Sequence, residues 1–364
     1  MNRSRLILAG LLAPLALLAA DPPEIPYTFD ANPLKLPADM HFGEVSGIAL
    51  NSQKHVFAYT RGSTVGPAYA AAASQILEFG PDGRFIREIG KGLYAWSYAH
   101  DIRVDKDDNI WAIDKGSDMI VKFNPQGRVT MLFGRKKEAS DDAEPWTRVN
   151  PPRPAIDGQF RQPTDVTWDP QGNIYISDGY INSRVAKFDK NGDWVKQFGG
   201  PGKGPGQFDT PHGIASDAKG NIYVADRGNN RVQVFDGDGN VVREIKVDVP
   251  APADAKPWMG AVPSQANPGT MHSGAPWTVC ITPGPTQYLY FSDAFPGRIY
   301  KLTLDGKLLG MLGKTGHQPG QFGWIHQLAC PSENELWVAE LLNWRVQKLT
   351  LKPTGSMTVS RSGN

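Results

Sequence analysis

The sequence predicts an all-β fold, a six-bladed β-propeller, from three observations. One pattern of about fifty residues recurs six times. Within each copy apolar and polar residues alternate, as in "NIYVAD" and "ELWVAE", with the β-branched and aromatic types that suit a pleated surface. No part of the repeats sustains a helical period. Four strands per copy in radial repetition is the sequence form of a propeller.

Taken in chain order, "MNRSRLILAGLLAPLALLAADPPE" places Arg3 and Arg5 ahead of an apolar run from Leu6 to Ala20, followed by a polar, proline-rich stretch. That is the form of a signal peptide, residues 1–20, with cleavage expected near Ala20. The run is short of the ~20 residues a spanning helix needs, so the mature protein is expected to be secreted or periplasmic, without a membrane anchor. Tyr27–Leu36 precedes the first copy and is expected to close the last blade. The copies begin near Val45 ("VSGIALNSQKHVFAYTRG"), Ala99 ("AHDIRVDKDDNIWAID"), Pro163, Pro211, Pro276 and Ile325. They are clearest in "PTDVTWDPQGNIYISDGYINSRVAKF" and "PHGIASDAKGNIYVADRGNNRVQVF": a short strand, a Gly-Asn turn, a strand ending in Asp, an Asn/Arg turn, then further strands. The sixth copy shows only three strands, ending near Leu351. The propeller is therefore expected to span 21–352, with 353–364 a disordered tail. Two long loops, in the regions 136–159 and 246–275, stand out as functional candidates.

The net charge of +1 gives no electrostatic footprint for nucleic acid or an anionic membrane. A small-molecule or peptide substrate and a monomeric protein are the partner expectations. Cys280 and Cys330, the only cysteines, sit in neighbouring copies one register step apart, on opposite strand faces. Packed blades can bring such faces together or turn them away, so pairing stays open; it requires Cα atoms within about 7 Å.

One position per copy lines the mouth of the central channel: Ser46, His100, Thr164, His212, Trp277 and His326. Histidine falls on blades two, four and six. Alternate blades of a six-fold ring are about 120° apart, so three imidazoles converge on the axis, with nitrogens expected within about 4 Å. Packing alone does not call for that pattern, whereas imidazole is a preferred ligand of zinc and its neighbours. His41, His55, His272 and His317 match no such position.

The repeats resemble NHL repeats, "GNIYVADRGNNRVQVFDGDG" being close to the consensus. From about Phe42 to Leu351 the chain resembles the peptidyl-α-hydroxyglycine α-amidating lyase family. The stretches that carry this are "GEVSGIAL", "AHDIRVDKDDNIWAID", "SDGYINSR", "PHGIASD", "YVADRGNNR" and "IHQLA". The resemblance implies a zinc-dependent lyase that splits a carbinolamide into an amide and glyoxylate. It implies zinc on His100, His212 and His326, a catalytic Tyr180, and active-site arginines Arg61 and Arg227. The repeat alignment independently puts Arg61, Tyr180 and Arg227 just past the second strands of their blades, on one rim.

A tyrosine titrates near pH 10 unperturbed, and a nearby metal or guanidinium lowers that value. The milder alternatives are that Tyr180 caps a loop and that Arg227 pairs with carboxylates such as Asp226. The family also holds a structural calcium through an acidic residue after its third histidine. Here that residue is Gln327, while Asp101 follows the first histidine, so calcium is not expected. Two other functions compete: an NHL propeller that binds a peptide or glycan around a structural metal, and a hydrolase or lactonase, which would favour acidic metal ligands.

Overall fold

Aspartate-led turns set where the strands end. Asp169 Oδ1 accepts the backbone N–H of Gln171 and Asn173, and Gly172 takes φ +87°; Asp217 does the same for Lys219 and Asn221, with Gly220 at +84°. The side chain substitutes for a backbone turn partner and glycine supplies the left-handed φ, so "DPQGN" and "DAKGN" each reverse one strand into the next.

The computed structural model of the chain describes residues 22–62, 74–137, 148–257 and 272–352. The signal-peptide segment, the expected tail and the middles of the two long loops lie outside these residues. The strands form six four-stranded antiparallel sheets, the blades of a β-propeller. Their innermost strands are Val45–Leu50, Ala99–Val104, Asp165–Trp168, Pro211–Ser216, Thr278–Ile281 and Ile325–Ser332, in blades one to six. Blade six takes its outermost strand from the start of the chain. Tyr27–Asp30 pairs with Arg345–Leu351, Tyr27 opposite Leu351 and Asp30 opposite Lys348. The strand stops at Asp30. Beyond it Leu34 is buried with Phe79, and Lys35 bridges to Arg84 of blade one. Glu24 bridges to Met311 of blade five, so this short segment touches blades five, six and one.

The core lies between blade faces rather than at one centre. Phe57, Tyr59 and Ile76 of blade one pack on Ile102, Ile110 and Val121 of blade two. Trp111 and Ile113 continue onto Ile174, Ile176 and Phe188 of blade three. Each such side chain contributes about 1.5–3 kcal/mol when fully buried. Cys280 and Cys330 face each other across blades five and six and form a disulfide, their Cα atoms 6.2 Å apart. The opposite strand faces therefore meet. Among the described residues the only helix is a three-residue 3-10 turn, Arg227–Asn229, and no helix is long and apolar enough to cross a membrane.

Candidate functional site

His100, His212 and His326 start the inner strands of blades two, four and six and are all buried. Each ring is anchored in the same way. His100 Nδ1 lies 2.7 Å from Thr164 O, His212 Nδ1 2.6 Å from Trp277 O, and His326 Nδ1 2.6 Å from Ser46 O. The partner is always the channel-lining residue of the next blade. A carbonyl can only accept, so Nδ1 carries the hydrogen and Nε2 keeps its lone pair. The three ligand atoms lie within 4.8 Å of one another, wider than the 4 Å that the sequence suggests, because the carbonyl bonds hold the rings to the wall. Desolvation pushes all three imidazoles well below the usual 6.5, and neighbouring cations and histidines add to it. Neutral rings with aligned lone pairs suit a divalent cation, and carbonyl-anchored Nδ1 groups are the usual outer support of such ligands.

Tyr180 reaches this trio from blade three. Its hydroxyl is 3.3 Å from both His100 Nε2 and His212 Nε2. The preceding Gly179 makes this reach possible: a Cβ there would stand 1.8 Å from Pro211 O of blade four. Arg148 pins the loop from outside, donating to Tyr180 O at 2.8 Å, Asp209 Oδ1 at 2.6 Å and Thr210 Oγ1 at 2.7 Å. Burial raises the phenol, but Lys115, Arg227 and Arg61 outweigh it and hold Tyr180 below its usual 10.0. The approach to the channel is strained. Gln162, Thr210 and Trp324, each two residues before a channel position, are left-handed at φ +60°, +60° and +64°. Strain of this kind costs of order 1–3 kcal/mol per residue and clusters at functional sites.

Cations and aromatic rings alternate around the rim. Arg61 lies 4.0 Å from the ring centre of Tyr98, and Lys115 lies 5.5 Å from Tyr98 and 3.8 Å from Tyr180. Arg227 lies 5.4 Å from Tyr180 and 4.0 Å from Trp277, which meets Trp324 edge-on at 4.9 Å. Arg61 is held by Glu44 at 2.5 Å and Ala99 O at 2.9 Å. Arg227 is buried with no hydrogen-bond partner on Nε or Nη1. It does not pair with Asp226, whose carboxylate holds Arg231, Asn229 and Gln233 instead. Lys115, Tyr98 and Trp324 are not among the residues that the repeat positions and the quoted stretches single out. The signal for Lys115 is its place one residue past the second strand, where Arg61 and Arg227 also stand.

One register step below the histidines, a polar layer ties the inner strands of all six blades. Asp165 of blade three receives Arg103 of blade two twice, at 2.9 and 2.5 Å, and the backbone N–H of Ile214 of blade four. Arg103 also reaches Val279 O of blade five. Gln327 of blade six accepts from Ile48 of blade one and donates to Ile102 O of blade two. Calcium requires six to eight oxygen donors. Here a guanidinium holds the axis and both ends of Gln327 are engaged, so the residues present do not fit that ion. Of the four remaining histidines, His55 lies on Glu78, His272 on Ser273 O and His317 on Asn343, while His41 precedes the first inner strand.

The model of the NHL repeat family matches residues 208–235. The chain is 30% identical to peptidylglycine alpha-amidating monooxygenase of Rattus norvegicus over 228 residues, 56% of this chain and 22% of that protein. It is 27% identical to a probable peptidyl-alpha-hydroxyglycine alpha-amidating lyase of Caenorhabditis elegans over 229 residues, 54% of this chain and 61% of that protein. The chain thus spans less than two thirds of the length of these relatives. Among solved structures, virginiamycin B lyase from Staphylococcus aureus shares the fold at TM-score 0.55 and 15% identity, over 90% of this chain and all of that one. With an NHL repeat on a six-bladed ring and lyase-named relatives among its matches, the chain is similar to the peptidyl-α-hydroxyglycine α-amidating lyases and to NHL-repeat proteins.

Proposed function

We propose that the protein is a metal-dependent carbon–nitrogen lyase that splits peptidyl-α-hydroxyglycine-like carbinolamides into an amide and glyoxylate. The observation that carries this is the trio of Nδ1–carbonyl bonds, which leaves three Nε2 lone pairs converging beside the Tyr180 hydroxyl. His100, His212 and His326 would hold zinc or a similar divalent ion, which when bound supplies Lewis-acid stabilisation of developing negative charge on oxygen.

The chain's own groups account for the rest. Tyr180, held below its usual range, takes the proton of the substrate hydroxyl. The O–H electron pair becomes the aldehyde C=O of glyoxylate, the C–N bond breaks, and the departing nitrogen takes up a proton to give the amide. Arg227, buried and with two orphan donors, is matched to the substrate carboxylate, for which bidentate pairing is the strong geometry. Arg61, already committed to Glu44 and Ala99, contributes field rather than a contact. Export through residues 1–20 and action as a monomer outside the cytoplasm are parts of the same proposal.

The test is elemental analysis of the purified protein beside an assay of glyoxylate released from an N-acyl-α-hydroxyglycine. One bound divalent ion with turnover is expected. Bound metal without turnover would favour a non-catalytic propeller that binds a peptide or glycan.

A further inference from the structure

A carboxylate of the chain itself lies beside Arg227. Asp209 O accepts the backbone N–H of Gly228, the residue after Arg227, at 2.8 Å. Its side chain leans the same way: a Cβ on Gly228 would stand 2.5 Å from Asp209 Cγ and 2.7 Å from Oδ2. Yet Arg227, although buried, keeps Nε and Nη1 without a hydrogen-bond partner. A buried cation beside an anion ordinarily pairs with it. Something holds these two apart.

Arg148 occupies the carboxylate instead. Its Nη1 donates to Asp209 Oδ1 at 2.6 Å and its Nη2 to Thr210 Oγ1 at 2.7 Å, while Thr210 Oγ1 donates to the same Oδ1 at 3.1 Å. The two side chains are 37% and 39% exposed, and an exposed ion pair alone holds weakly. Here Tyr180 O also fixes the guanidinium, at 2.8 Å, so the fork is set before it meets the carboxylate. Burial raises the Asp209 carboxyl, but Arg148, Thr210 and Arg227 outweigh it and hold it below its usual range. Asp209 is thus an anion in the field of both arginines and hydrogen-bonded to one of them.

We propose that Arg148 is a positioning residue that holds Asp209 off Arg227 and so keeps the Arg227 donors open to the substrate carboxylate. This rests on the part of the lyase reading that gives Arg227 that carboxylate. Without Arg148, Asp209 turns to Arg227 and competes for the same donors. A competing charge-assisted pair amounts to about tenfold in affinity for a carboxylate ligand.

The experiment measures binding of N-acetylglycine, which carries the carboxylate, and of N-acetylglycinamide, which lacks it, by calorimetry on metal-loaded protein. Wild type, Arg148→Met, Asp209→Asn and the double variant are compared, with KM for N-acetyl-α-hydroxyglycine measured beside them. Wild type is expected to prefer N-acetylglycine. Arg148→Met is expected to weaken N-acetylglycine about tenfold and to leave N-acetylglycinamide unchanged. Asp209→Asn is expected to bind as wild type does, and the double variant to recover the wild-type affinity, because no carboxylate is left to compete. KM is expected to follow the same order. A double variant as weak as Arg148→Met overturns the proposal, since Arg148 then serves the ligand directly or through the fold. Unchanged N-acetylglycine binding in Arg148→Met, or equal weakening of both ligands, also overturns it. These outcomes leave the lyase reading intact. No preference for N-acetylglycine in wild type overturns the role of Arg227 and this proposal with it. Bound metal with no glyoxylate, beside the expected order of affinities, overturns the lyase reading alone.

Discussion

Arg103→Met is the perturbation that most directly tests the polar layer across the channel. Arg103 gives two charge-assisted hydrogen bonds to Asp165, which is fully buried, and one to Val279 O. Removing one partner of a buried ion pair costs about 3–5 kcal/mol, because the other charge is left behind. Asp165 would keep the backbone N–H of Val166 at 2.8 Å and of Ile214 at 2.9 Å, which places the cost toward the lower end, about 3 kcal/mol. For a chain of this size that lowers Tm by roughly 6 °C. The assay is urea unfolding of wild type, Arg103→Met, Asp165→Asn and the double variant at equal metal loading. The double variant is expected to be at least about 1 kcal/mol more stable than the sum of the singles predicts, since neither member of the Arg103–Asp165 pair is left without the other. Added calcium is expected to leave the wild-type midpoint unchanged. A cost below about 1 kcal/mol for Arg103→Met, additive singles, or a calcium-dependent rise in Tm would refute the reasoning.

Other outcomes follow from the same geometry. Tyr180→Phe is expected to lower glyoxylate release by about 10²–10⁴-fold at unchanged metal content; equal rates would remove Tyr180 as the base. His212→Ala should abolish stoichiometric metal binding while the propeller stays folded, as read by elemental analysis and far-UV circular dichroism. Reduction of Cys280–Cys330, which closes a loop with a sequence separation of 50, should cost about 4 kcal/mol by the chain-entropy relation, measured as a shift in the urea midpoint. Gly179→Ala should impair turnover more than metal binding, because its Cβ would collide with Pro211 O and displace Tyr180.

The repeat made the blades and the histidine trio legible, because both depend on periodicity alone. His100, His212 and His326 recur at one register position, and the ring turns that spacing into convergence. What periodicity does not carry is contact across blades. Arg103 pairs with Asp165 from a neighbouring blade, and nothing local marks either residue. The disulfide was undecidable for the same reason: strand register gave the side of each cysteine but not whether those sides face inward together. Lys115 was available in principle, one residue past its second strand, but lysine at a strand end is ordinary. Only its distance to Tyr180 gives it meaning.

The closure of blade six bears on the order in which the site can come into being during synthesis. Tyr27–Asp30 emerges from the ribosome early, yet its pairing partner, Arg345–Leu351, is made after all the other strands. His326 belongs to that same final blade, and its Nδ1 is held by Ser46 O in the first. The third imidazole thus gains its orientation through the same meeting of early and late chain that completes the ring. A truncation after blade five removes the outer-strand partner and one histidine together, leaving two imidazoles and an open sheet edge. Binding of a metal by all three rings would therefore report that blade six has been made as well as folded.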